Sequence, residues 1–307
     1  IFDCLVGSEM CIRDRCIINL NTLLYTQPKN SGLRNMFKSN LKRTSSLLLI
    51  GTLGLLALGN VSANQVGDGY MNETDMVAVS FWLATAMMLA STVFFMLERQ
   101  NVAPKWRTSM TVAALVTGVA WYHYTYMRKH WEAFETSPLV MRYIDWLITV
   151  PLQIAEFYLI LAAIGAATAA LFWRLFGASL VMLVAGFLAE SGEMSDGLTW
   201  PLFAVGVAAW IYIIYEIWAG EAKENVSGAS EGTQFAFKAM AIILTIGWAI
   251  YPIGFIMGEG GDAGDIENLN ILYNIADVVN KTAFGMMVWY AATTVSYTHL
   301  RAHETVE

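Results

Sequence analysis

Lys281 is the residue on which chemistry can be built. It falls in the middle of a long apolar stretch, and Asp277 precedes it by four residues. On a helix that spacing puts the carboxylate and the amine on one face, a single turn apart. A second apolar stretch carries Arg142, Asp145 and Glu156. An ionisable side chain within bilayer hydrocarbon costs roughly 2.5 to 3.5 kcal/mol on insertion scales, so each of the five calls for a partner or a purpose. Asp145 and Glu156 are eleven residues apart; at about 100° per residue they return to within ~20° of one face, with ~16 Å of rise between them. If the two stretches are neighbouring helices, Lys281 meets Asp145 and Asp277, with Arg142 one turn outward and Glu156 alone on the other side. A Lys–Asp pair by itself is equally consistent with a static brace between helices. Glu156 tips the balance, because an unpaired carboxyl in hydrocarbon is cheapest as the neutral acid and so holds a proton. One protonated and one ionised carboxyl on either side of an amine describe a proton relay.

These residues need helices that cross a bilayer, about 20 residues each. Of the 307 residues, 56% are hydrophobic and 14% charged, a balance foreign to water-soluble domains of this size. Seven apolar stretches are long enough, at 76–98, 107–127, 139–162, 169–190, 199–219, 233–257 and 268–292. The expected fold is an all-α membrane protein, a seven-transmembrane-helix bundle. Two signals place its N-terminus outside and its C-terminus inside. Residues 36–63 read as a signal peptide: Lys38, Lys42 and Arg43, an apolar run from Leu47 to Leu58, then Val61-Ser62-Ala63 with cleavage after Ala63. Loops expected inside carry Arg99, Lys105, Arg107, Arg174 and Lys223. Those expected outside carry Arg128 and Lys129 and are otherwise acidic, with Glu190, Glu193, Asp196, Asp262, Asp265 and Glu267.

Other classes are disfavoured. The spans share no repeat, which leaves an inverted-repeat transporter without support. A net charge of −7 without a basic run argues against nucleic acid. The three cysteines (Cys4, Cys11, Cys16) lie near the N-terminal end, so the rest holds no Cys-based metal site or disulfide framework. Of the histidines, His299 and His303 are near the C-terminal end, His123 and His130 flank a loop, and no metal set is expected. Residues 1–35 read as sequence upstream of an initiator at Met36, and 294–307 as a tail outside the core domain, 64–293. Cys4 to Asp14 and Val295 to Thr305 resemble translated sequencing-linker sequence; ordinary disordered termini are the alternative.

Three segments carry a family resemblance. Arg142-Tyr143-Ile144-Asp145-Trp146-Leu147-Ile148-Thr149-Val150-Pro151-Leu152 resembles the third-helix signature of the microbial rhodopsins, specifically the proteorhodopsins. Ala276-Asp277-Val278-Val279-Asn280-Lys281 resembles their retinal-attachment segment, and Trp248-Ala249-Ile250-Tyr251-Pro252 their sixth-helix pocket motif. The resemblance implies that Lys281 carries covalent all-trans retinal as a protonated Schiff base. Asp145 is then the primary counterion and proton acceptor, Asp277 the second counterion, Glu156 the proton donor from the cytoplasmic side, and Arg142 a bias on outward release. Asp145, Thr149 and Glu156 match the proton-pumping pattern. Trp146, Trp210, Trp248, Tyr251 and Pro252 are expected to line the pocket.

The same resemblance makes His123 the histidine that hydrogen-bonds the acceptor; a packed core histidine is the alternative. Trp82 of a neighbouring copy falls beside it in a ring-shaped homo-oligomer, a pentamer or hexamer. Gln153 stands where family members divide by colour, glutamine going with blue absorption. Phe203 stands where carotenoid-binding relatives carry glycine, which disfavours an antenna pigment. The expected function is a light-driven outward proton pump in a bacterial inner membrane, with the lipid bilayer and protons as partners, and no enzyme. The alternatives are a slow-cycling photosensor signalling to a partner, disfavoured by Glu156, and a colourless seven-helix channel or receptor, which would not need a mid-span lysine.

Overall fold

The computed structural model describes residues 74–192, 194–258 and 263–304. The upstream segment and signal peptide expected at 1–63 lie outside the described residues, as do Glu193 and Asp262. Among the described residues are seven long helices and no strand: α1 Met76–Glu98, α2 Arg107–Phe134, α3 Leu139–Ala163, α4 Ala169–Glu190, α5 Asp196–Trp218, α6 Glu231–Gly258 and α7 263–304. A 3₁₀ turn, Pro104–Trp106, leads into α2, and a short helix, Glu221–Val226, lies between α5 and α6. Two of the seven are not regular throughout. Residues Ile243–Gly247 of α6 and Val279–Ala283 of α7 form π-helical turns.

The starts of several helices are written locally. The Asp75 carboxylate accepts from the backbone N–H groups of Val77 and Ala78, and Thr168 and Ser230 cap α4 and α6 through their hydroxyls. Each satisfies donors that the first helical turn leaves open. Sequential helices pack as neighbours, and α7 returns against α1 and α6 to close the bundle.

The interior gathers polar groups beside an apolar core. On α3 the buried residues include Arg142, Asp145, Thr149, Gln153 and Glu156, while Ile144 and Ile148 are exposed on the opposite face. Polar groups turn inward because lipid offers them no partner, and the apolar side chains are left to face it.

Five of the seven helices (α1 and α3 to α6) are by themselves apolar enough to cross a membrane. The other two, α2 and α7, are more polar along their length. Apolarity also marks only the part of a helix that lies in lipid, whereas the backbone ladder continues into water. Thus α2 runs on to Phe134, so Arg128, Lys129 and His130 are on the helix and His123 and His130 do not flank a loop. Glu190 ends α4, Asp196 begins α5, Asp265 and Glu267 belong to α7, and α7 continues past Thr293 to Glu304.

Candidate functional site

The centre of the bundle is a buried ion cluster. Lys281 Nζ donates to Asp145 Oδ2 at 2.6 Å and to Asp277 Oδ2 at 2.7 Å, and all three side chains are almost wholly excluded from solvent. The i, i+4 register on α7 supplies one contact and the packing of α3 against it the other. Asp277 accepts further bonds: from Tyr124 on Oδ2 at 2.9 Å, from Trp146 Nε1 at 3.3 Å, and from the Tyr251 hydroxyl on Oδ1. His123 Nδ1 lies 3.4 Å from Asp145 Oδ1 and 3.0 Å from the Val119 carbonyl oxygen. Thr149 does not reach the Asp145 carboxylate; its hydroxyl donates to the backbone carbonyl of Asp145 at 2.9 Å.

Among the described residues Arg142 makes no direct ion pair with a carboxylate. Its Nη2 donates to Asn270 Oδ1 at 2.9 Å and Asn274 Oδ1 at 2.8 Å, and the guanidinium carbon lies 5.3 Å from the centre of the Phe81 ring and 5.4 Å from that of Tyr273. Aromatic faces and amide oxygens are favourable surroundings for a cation with no anion in contact. The charges nonetheless balance locally, with two cations (Lys281, Arg142) and two anions (Asp145, Asp277) buried together. In such a cluster the charges offset one another, and removing one leaves an uncompensated charge.

Glu156 is on the same face of α3, buried to 1% exposure. Its Oε1 has no hydrogen-bond partner among the described residues. An apolar setting of this kind is what separates a stored proton from an ion pair.

Beside the cluster lies a cavity whose lining includes Asp277 and Lys281. Trp146, Gln153, Trp210, Trp248, Tyr251 and Pro252 all line it. Trp146 packs edge-on to Tyr251 at 4.8 Å between ring centres, and Trp210 and Trp248 add indole surface. Gln153 donates through Nε2 to the Asn280 carbonyl oxygen at 2.8 Å. Flat rigid rings in a mostly apolar cavity with one amine in its lining suit an apolar molecule with one group that engages nitrogen.

Other residues at the site come from the structure alone. Tyr124 holds Asp277, Asn270 and Asn274 hold Arg142, and Asn280 joins α7 to α6. Part of this was visible as spacing, because Asn270, Asn274, Asp277 and Lys281 make a polar stripe with steps of four, three and four along α7. Tyr143, Glu190, Phe203, Phe255 and Tyr273 also line the cavity. Phe203 stacks on Phe255, with ring centres 4.5 Å apart and planes 12° apart. Trp82 is 52% exposed on α1.

A profile of the family described as "Bacteriorhodopsin-like protein" matches residues 75–295. The chain is 51% identical over 242 residues to a green-light absorbing proteorhodopsin of Gamma-proteobacterium EBAC31A08, covering 78% of this chain and 96% of that one. Among solved structures it is similar to a blue light-absorbing proteorhodopsin from Med12, with a TM-score of 0.62, 52% identity, and coverage of 72% of this chain and 99% of the other. It is also similar to xanthorhodopsin, described as a light-driven ion pump with dual chromophore, with a TM-score of 0.67 and 29% identity over 73% of this chain and 94% of that one. With the ion cluster on α3 and α7 and a match from Asp75 to Val295, the chain belongs to the bacteriorhodopsin-like family of microbial rhodopsins.

Proposed function

We propose that this protein is a light-driven proton pump that moves protons outward, with retinal joined to Lys281. The observation that carries the reading is the asymmetry about one amine. Lys281 Nζ contacts Asp145 and Asp277 at 2.6 and 2.7 Å, while Glu156 sits buried on the same face of α3 without an ionic partner among the described residues. The cavity suits retinal, because its lining is mostly aromatic and apolar and includes a single lysine. When bound, retinal supplies a light-driven change in the direction in which the Lys281 N–H points.

The chain's own residues do the rest. Asp145 takes the proton from the Lys281 nitrogen through Oδ2, the contacting oxygen. Asp277, fixed by Tyr124, Tyr251 and Trp146, remains the standing negative charge. His123, against the other Asp145 oxygen, modulates the acceptor. Glu156 returns a proton to the nitrogen from the cytoplasmic side, which makes the transfer vectorial. Arg142, one turn outward from Asp145 and without a carboxylate in contact among the described residues, biases release to the outside.

Gln153 places an amide dipole beside the cavity, and we assign blue absorption to it; Phe203, filling its position with a ring stacked on Phe255, argues against an antenna pigment. The protein is read as a multi-pass protein of a bacterial inner membrane, assembled as a pentameric or hexameric ring with Trp82 of one copy beside His123 of the next. Cells producing the chain with added retinal should acidify their medium under illumination, and a protonophore should abolish the change. Lys281→Ala should give neither colour nor acidification. An unchanged pH with a coloured protein would remove the pump and leave the photosensor.

A further inference from the structure

Asn280 adjoins Lys281 in the chain and has no part in the relay just described. Its side chain is 1% exposed and spans the gap between the π-helical turns of α6 and α7. Both Nδ2 hydrogens are used: the Gly247 carbonyl oxygen accepts at 3.0 Å and the Tyr251 hydroxyl oxygen at 3.1 Å. The Asn280 backbone carbonyl accepts from Gln153 of α3 at 2.8 Å. One residue therefore joins three helices at the lysine. Turns of π-helix interrupt the regular ladder and recur at functional sites.

The contact at Gly247 is closely fitted. A Cβ at that position would come within 1.8 Å of Asn280 Oδ1, an overlap that no packing adjustment short of moving Asn280 removes. Glycine is what lets α6 approach this side chain. The bonds also have a direction. Because the Tyr251 oxygen accepts from Asn280, its single hydrogen is left for Asp277 Oδ1. A side-chain file runs from the Asn280 amide through the Tyr251 hydroxyl and the Asp277 carboxylate to Lys281 Nζ.

We propose that Asn280 is a positioning residue: it aims the Tyr251 hydroxyl at Asp277 and pins α6 to α7, and so sets both the colour and the rate of proton return to Lys281. The inference rests on the proton-pump reading for its kinetic part. Without Asn280 the Tyr251 hydroxyl turns freely and Asp277 loses a fixed donor. More of the Asp277 charge then bears on the cation beside it, stabilising the cationic ground state and moving the dark band to shorter wavelength. The π-turn of α6 also loses its anchor.

Asn280→Ala and Gly247→Ala approach this contact from its two sides. In the retinal-free chain, each should speed amide exchange over residues 243–251 by about tenfold, the scale of one buried hydrogen bond lost. With retinal added, each should move the dark band to shorter wavelength and slow proton return after a flash by roughly tenfold on the same scale. In a Tyr251→Phe background, Asn280→Ala should add no further band shift, because the hydroxyl it aims is gone. An unshifted band in both single variants, or a shift of undiminished size in the Tyr251→Phe background, overturns the proposal. If the unaltered chain forms no pigment, the pump reading fails instead. The exchange measurement still decides whether Asn280 pins α6, and unchanged exchange would show that it does not.

Discussion

At the scale of single residues, the site is a problem of where one proton rests. Glu156→Gln keeps the size and burial of the side chain and removes the only feature a donor needs. It should slow reprotonation at Lys281 by orders of magnitude while leaving the colour largely intact, because Glu156 is not among the residues lining the cavity; flash photolysis checks both, and unaltered decay would show that Glu156 is no donor. Asp145 contacts the amine directly, so its charge should be read in the colour. A negative charge beside a cation stabilises the ground state, so Asp145→Asn should move the dark band to longer wavelength, and an unmoved band would show that Asp145 is no counterion. Lys281, Asp277, Asp145 and Glu156 were legible in the sequence because a charge in an apolar stretch has few innocent explanations. Tyr124, Asn270 and Asn280 were less so. Neutral polar residues are common on helices, and only the packing of α2, α3, α6 and α7 shows which of them face a charge.

At the scale of the helix, α6 and α7 hold the reactive lysine through close backbone approach. Gly254, on α6, faces Tyr273 of α7: a Cβ there would lie 2.5 Å from Tyr273 Cε1 and 2.7 Å from Leu269 Cδ1. Tyr273 in turn donates to the Tyr251 carbonyl at 3.1 Å and lies against Trp146. Gly254→Val should push the two helices apart and destabilise the fold by about 1 to 3 kcal/mol, the usual cost of overpacking. Thermal denaturation of the retinal-free chain in detergent would show it as a lowered midpoint, and an unchanged midpoint would mean that α6 shifts without cost. Seven long stretches could be counted in the sequence, although only five of the helices are apolar enough by themselves to cross a membrane, and their ends could not be read. Arg128 and Lys129 read as loop residues because polarity marks the edge of the lipid, while the hydrogen-bonded ladder of α2 runs on to Phe134. The π-turns left no pattern at all, since they follow from contacts such as that of Asn280 with Gly247 rather than from local preference.

At the scale of the whole molecule, the bundle separates an outward half from an inward one, and the separation gives the chemistry its sign. Arg142, with Asn270 and Asn274, lies on the outward side of the Lys281 nitrogen, and Glu156 on the inward side, if α3 enters the membrane from outside as the distribution of Arg99, Lys105, Arg107 and Arg174 implies. A proton passed from Lys281 to Asp145 and replaced from Glu156 then moves outward, and the same fold inserted the other way would move it inward. Orientation can therefore be read from function. Intact cells should acidify their medium in light, and inside-out vesicles from the same cells should acidify their lumen, at rates that fall together in Glu156→Gln. A photosensor would give no steady gradient in either preparation, because its proton comes and goes on one side. Acidification of the medium by inside-out vesicles would reverse the assignment of α3 and make Glu156 the group nearer the outside. The cluster of Lys281, Asp145 and Asp277 would be untouched by that result, since it lies between the two halves and has no direction of its own.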